Sequence, residues 1–142
     1  MNIIKVMQKI IKIFTILTII SLVVYIILYM FSYHIKLNYK DIESIVLVDH
    51  NQRLECSTEE KIKKVVDKIQ NINFYPSKTQ EFGQSPISMI SVKYKDGSIL
   101  QIDVLLVDAM IYKLEADKKI TEEVKFYIIR PLTIGSIINA CK

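Results

Sequence analysis

The chain is short of the residues that most often carry chemistry. Its 142 residues include three glycines, two cysteines, two histidines and no tryptophan. With only Gly83, Gly97 and Gly135 available, it has no glycine-rich loop to cradle a phosphate. Cys56 and Cys141 have neither the spacing of a zinc site nor the density of a disulfide scaffold. In an exported domain they could pair, but distance along the chain does not decide the Cα separation a disulfide needs. His34 and His50 have no Cys, Asp or Glu at the spacing of a metal motif. Cys56 with His50, imagined as thiol and base, lacks a third group to orient it. Asp103 and Asp108 lie five apart, so in one regular strand they would point to opposite faces and make no carboxylate pair. The sequence therefore assigns no catalytic, metal-ligating or cofactor-binding residue, and the expectation is a protein that is not an enzyme.

Acid and alanine are missing from the N-terminal part. No acidic residue precedes Asp41, and alanine occurs only at Ala109, Ala116 and Ala140. Scarce alanine beside abundant Ile and Lys resembles the bias of an AT-rich bacterial genome. What fills the N-terminal part is apolar: Ile13 to Tyr33 carries no formal charge. At about 1.5 Å per residue this run makes a helix of roughly 31 Å, the thickness of a bilayer's hydrocarbon core. A cleavable signal peptide would have a shorter apolar region and end in an A-x-A-like site. The run ends instead Met30-Phe31-Ser32-Tyr33-His34, which favours a retained signal anchor. Lys5, Lys9 and Lys12 before the span, against Lys36 and Lys40 after it, favour a cytoplasmic N-terminus and an extracytoplasmic C-terminal domain. Tyr25, Tyr29, Phe31 and Tyr33 would sit at the outer headgroup level. Thr15, Thr18, Leu22, Tyr25, Tyr29 and Ser32 follow one helix face, where small and polar groups suit homo-oligomerisation through the helix or are simply tolerated.

This gives four expected segments: cytoplasmic 1–12, transmembrane 13–33, a juxtamembrane linker 34–40 and an extracytoplasmic domain 41–142. The net charge of +4 belongs to the membrane flanks, because from Asp41 onward 14 Lys and Arg face 15 Asp and Glu. A domain with no basic footprint is not expected to bind nucleic acid.

Within the domain, Ile42 to Val48 reads as a β-branched strand closed by the turn Asp49-His50-Asn51-Gln52, with a return strand at Arg53 to Cys56. Ser57 and Glu60 form the pattern of a capping box, followed by Ile62, Val65, Val66, Ile69 and Ile72 at helical spacing. The lysines on the other side of that helix read as a solvated face. Asn71 and Asn73 can end it, and Phe74 to Pro86 reads as a surface loop. Ile87 to Lys95 and Ser98 to Asp108 flank Lys95-Asp96-Gly97, a hairpin signal. A two-residue turn would set Val92 against Gln101, mixing apolar with polar. A three-residue loop with Gly97 left-handed sets Val92 against Leu100, Ile90 against Ile102 and Ser88 against Val104, which gathers the apolar residues on one face. Met110 to Glu115 is a further strand and Ala116 to Lys119 a turn. Two readings are open for 121–130: a helix started by Thr121-Glu122-Glu123 and stopped by Pro131, which is favoured, or an edge strand with Val124, Phe126 and Ile128 alternating. The apolar tail Leu132 to Cys141 is too short to span a membrane and should dock on the core.

The expected fold is α+β, a small antiparallel sheet packed on one or two helices behind a transmembrane helix. This order of elements, with the anchor, the Ser57-Thr58-Glu59-Glu60 helix start and the V-K-Y-K-D-G-S hairpin from Val92 to Ser98, resembles the small membrane-anchored extracytoplasmic domains of unknown function from Gram-positive bacteria. The resemblance carries over no catalytic residue. The leading expectation is an uncharacterised single-pass membrane protein whose extracytoplasmic domain is a non-catalytic module for a protein or cell-envelope partner. Alternatives are a structural or immunity-type membrane protein acting through its helix in the bilayer, and a small envelope enzyme.

Overall fold

The computed structural model describes residues 3–76, 85–105, 108–117, 119–127 and 134–142, and at 120–127 the backbone only. The chain divides into two compact units, Met1–Ser32 and Tyr33–Lys142. The first is one helix, α1 (Ile3–Met30), none of whose residues is buried. It is long and apolar enough to cross a membrane. It differs from the expected 13–33 span at both ends. Lysine is a good helix former, so Lys5, Lys9 and Lys12 extend the helix N-terminally rather than delimiting it. At the other end Tyr33 already pairs with Phe74 in the second unit.

That second unit is α+β. Among the described residues seven strands form one antiparallel sheet: β1 (Ile42–Asp49), β2 (Gln52–Cys56), β3 (Tyr75–Pro76), β4 (Ser88–Tyr94), β5 (Ile99–Val104), β6 (Asp108–Leu114) and β7 (Ile120–Tyr127), in the order β2-β1-β4-β5-β6-β7-β3. Among the described residues two α-helices, α2 (Glu59–Gln70) and α3 (Ile134–Cys141), complete it. The hairpin between β4 and β5 has the three-residue register, with Val92 opposite Leu100 and Ile90 opposite Ile102. Gly97 closes it at φ 86°, a left-handed conformation that glycine adopts without a Cβ clash. Alternation then carries Ile45, Leu47, Ile90, Val92 and Ile102 to one face, all buried. Ile62, Val65, Val66 and Ile69 of α2 and Ile134, Ile137 and Ile138 of α3 join them in one core. Docking of the tail takes the form of α3.

Several expectations are corrected. Residues 120–127 are strand β7 beside β6 and not a helix; the register with Asp108–Leu114 completes the backbone pairing of that strand, which outweighs the helix-start pattern of Thr121-Glu122-Glu123. Residues 128–130 lie outside the described ones. The N-cap of α2 is Thr58 rather than Ser57, and it makes no side-chain cap bond, so the capping box is not formed. The stretch 34–40 is no linker: Ile35 and Leu37 are buried, and the Gln70 amide donates to the Leu37 carbonyl at 2.6 Å. In the loop expected from Phe74 to Pro86, Phe74 is a fully buried core residue, Tyr75–Pro76 is a strand, and 77–84 lie outside the described residues.

The two cysteines form a disulfide, Cys56 at the end of β2 with Cys141 in α3, their Cα atoms 5.5 Å apart. Both are buried, so the bond staples the C-terminal helix to an edge of the sheet beneath the surface.

Candidate functional site

The strands present their second face away from α2 and α3, and among the described residues no helix covers it. Its frame holds Val48, Met89, Ile99, Met110 and Leu114, all half-buried, and on the same face the register places the exposed Arg53, Glu55 and Lys93. At its centre the register brings together residues from three adjacent strands, since Ser91 of β4 pairs with Gln101 of β5, which pairs with Tyr112 of β6. Asp103, two residues along β5 from Gln101, shares that face. These four make one hydrogen-bond chain. The Ser91 hydroxyl donates to Gln101 Oε1. The Gln101 amide donates to Asp103 Oδ1 at 2.8 Å, and the Tyr112 hydroxyl to Asp103 Oδ2 at 2.9 Å.

The three bonds run in one direction, from Ser91 through Gln101 and from Tyr112 to the Asp103 carboxyl group. Asp103 is only 7% exposed and is held by two neutral donors; among the described ion pairs none involves it. A nearly buried carboxyl group that accepts from neutral donors makes this an acceptor-rich centre, which an N–H donor could meet.

Asp108 also lies on this face. The expectation that Asp103 and Asp108 oppose each other took Ser98 to Asp108 as one strand. The chain instead reverses after Val104, Asp108 opens β6, and Asp103 pairs with Met110, so the two acids are diagonal neighbours. Diagonal positions in a sheet lie about 7–8 Å apart at Cα. Asp108 is buried.

Other residues weighed in the sequence are placed apart from this centre. His50 is exposed in the β1–β2 turn at φ 49°, and His34 lies in the packed segment before β1. Cys56 is disulfide-bonded, so it offers no thiol for His50 to activate. Among the described residues no group of His, Cys, Asp and Glu could hold a metal ion. On α1 the Thr15 and Thr18 hydroxyls donate to the carbonyls of Ile11 and Phe14, and just beyond it that of Ser32 donates to the Tyr29 carbonyl.

A second polar region surrounds Tyr94 at the β4–β5 hairpin. Burial pushes the Tyr94 phenol above its ordinary range, and Asp96, Asp41 and Tyr33 push it the same way. Asp96 is held below the usual carboxylate range by the hydroxyl and the backbone N–H of Ser98.

Sequence reasoning missed the Ser91–Gln101–Asp103–Tyr112 chain. Its one available signal was polar residues at every second place in β5, Gln101 and Asp103, where a solvated face would more often carry lysine or glutamate. No protein-family model matches this chain, and no curated protein and no solved structure matches it.

Proposed function

We propose that this is a single-pass membrane protein whose N-terminus is cytoplasmic and whose Tyr33–Lys142 unit is a non-catalytic, extracytoplasmic module that binds a protein or envelope partner through the open face of its sheet. The observation that carries the reading is the buried Cys56–Cys141 disulfide behind an apolar helix. Disulfides persist in oxidising compartments and are rare where thiols are kept reduced, so a stapled domain belongs on the outer side of the membrane. The lysine bias across α1 supports the same orientation. For the binding role the support is that no helix among the described residues covers this face. Half-buried apolar residues around the Asp103 carboxyl group, with exposed charges at the β1–β2 side, match an interface centre with a polar rim.

A topology reporter fused after Lys142 tests the orientation: activity of an extracytoplasmic reporter is expected, and activity of a cytoplasm-only reporter overturns it. A photo-crosslinking residue placed at Met110 in intact cells tests the surface, with one at Lys68 on the solvated side of α2 as control. A discrete adduct from 110 and none from 68 is expected; the same adducts from both positions refute the face. Exchange of α1 for an unrelated span should leave that adduct in place, whereas a protein acting through its helix in the bilayer would lose its function.

A further inference from the structure

The sheet ends in two edge strands that differ in kind. At one edge β3 is two residues long and holds Pro76, and a short edge with a proline is a poor template for a further strand. At the other edge β2 runs for five residues, Gln52-Arg53-Leu54-Glu55-Cys56, without proline or lysine, and among the described residues no strand pairs with its outer side. Its inner side is fixed. A two-residue loop, His50-Asn51, joins it to β1, so Asp49 and Gln52 are a hydrogen-bonded pair. Alternation then turns the N–H and C=O of Gln52, Leu54 and Cys56 toward β1 and those of Arg53 and Glu55 toward the outer edge. The Cys56–Cys141 disulfide ties the end of β2 to α3, so the edge is ordered before anything meets it.

The side chains of this edge are complementary to themselves. Arg53 and Glu55 are both exposed, neither belongs to an ion pair among the described residues, and Leu54 alone stands between them. When a second β2 is laid antiparallel about a two-fold axis at Leu54, Arg53 of each copy stands directly opposite Glu55 of the other. The backbone agrees with the side chains. Arg53 and Glu55 are the residues whose N–H and C=O point outward, so each Arg53 forms a hydrogen-bonded pair with Glu55 of the second copy. Leu54 then falls at a non-hydrogen-bonded position, where opposite side chains approach most closely, and each half-buried Leu54 covers the other. Centring the axis on Arg53 or on Glu55 would set like charge against like, which selects the register at Leu54.

We propose that the outer edge of β2 is the site at which a second copy of this chain pairs, antiparallel and two-fold symmetric about Leu54, joining the two sheets into one. The edge is three strands away from Asp103, so this inference does not depend on the partner read for the open face.

Förster transfer between full-length chains tests it, with donor and acceptor fluorescent proteins fused after Lys142 and the chains mixed in excess detergent. The native chain should give concentration-dependent transfer. Arg53→Glu alone sets Glu against Glu at both ends of the pair, and Glu55→Arg alone sets Arg against Arg; each should weaken self-association at least about fivefold. The double swap, Arg53→Glu with Glu55→Arg, restores opposite charges and should return association to within about twofold of native. Donor chains of one single variant mixed with acceptor chains of the other should also pair, which shows in addition that both variants fold. No transfer from the native chain overturns the edge contact. Transfer that neither single variant lowers overturns it too, and assigns association to α1 or another surface. Loss in the single variants without recovery in the double swap or in the mixture overturns the charge-paired register.

Discussion

Ile90 and Ser91 are neighbours on β4, yet one is fully buried under the helices and the other starts a hydrogen-bond chain on the open face. The same contrast repeats at Ile102 against Asp103 and at Ile111 against Tyr112. Period-two alternation lets one set of strands build a packed core on one side and a hydrogen-bonded polar face on the other. The core face is held by volume and by a covalent staple. The second face holds the Asp103 carboxyl group in place through neutral donors. Stability should therefore reside on one side of the sheet and binding on the other, and each prediction below can break that division.

The largest effect is expected at the staple. Cys56 and Cys141 are 85 residues apart in sequence, and cross-linking a loop of that size removes unfolded-state entropy worth about 4–5 kcal/mol in the chain-entropy account. The Cys56→Ser and Cys141→Ser double variant, or reduction of the native chain, should lower the urea midpoint accordingly. A change under about 1 kcal/mol would place the stability of the unit elsewhere.

The next test compares adjacent residues. Ile90→Ala removes a side chain with no exposed surface and should cost about 2–5 kcal/mol. Met89→Ala, one residue away on the open face, should cost about 1 kcal/mol or less and should weaken the crosslink from position 110. Equal costs at the two positions, measured by chemical unfolding, would show that the second face is covered as thoroughly as the first.

Much of the core face was legible in the sequence, because periodicity is a local signal. Ile62, Val65, Val66 and Ile69 announced α2, and Gly97 with the apolar pattern announced the β4–β5 register. What was not legible depended on distance in space. No local feature of Cys56 or Cys141 contains their 5.5 Å Cα separation. Val124 and Tyr127 suit a helix face as well as a strand, and the unpaired edge of β6 decides between them. Ile35 and Leu37 alternate with His34, Lys36 and Asn38, a strand-like signal that the lysines disguised as a membrane flank. The open face was hidden for the same reason as the staple, since Ser91 and Tyr112 meet only through β5.

On the open face, Asp103→Asn keeps the shape and turns one acceptor into a donor. It should cost about 1 kcal/mol, because with the Asn oxygen kept on the Gln101 amide the Tyr112 hydroxyl must turn from donor to acceptor and give up a bond to a carboxyl oxygen. The crosslink from position 110 should fall by more than that stability loss accounts for. A variant that binds its partner unchanged would take the carboxylate out of recognition.

Where the two faces meet, at the hairpin, backbone conformation should outweigh side-chain chemistry. Gly97→Val places a Cβ in a left-handed residue and 3.4 Å from the Ala116 Cβ, so about 1–2 kcal/mol should be lost. Asp96→Ala should cost less, with a pH dependence that identifies its cause. The Asp96 carboxylate accepts the Ser98 N–H at 2.8 Å and the Ser98 hydroxyl at 2.6 Å, and these bonds lower its pKa in the folded state. A carboxylate lowered on folding contributes its stability fully above its unfolded pKa, near 3.9, and loses it as pH falls through the folded value. The gap in urea midpoint between native chain and variant should thus be constant from pH 7 down to about 5 and shrink steadily below about 4. Because the carboxylate is fully solvent-exposed, the gap should be small throughout. A gap that stays constant at the lowest pH would mean that the variant perturbs the turn by another route, and that the bonds to Ser98 do not steady the hairpin joining the two faces.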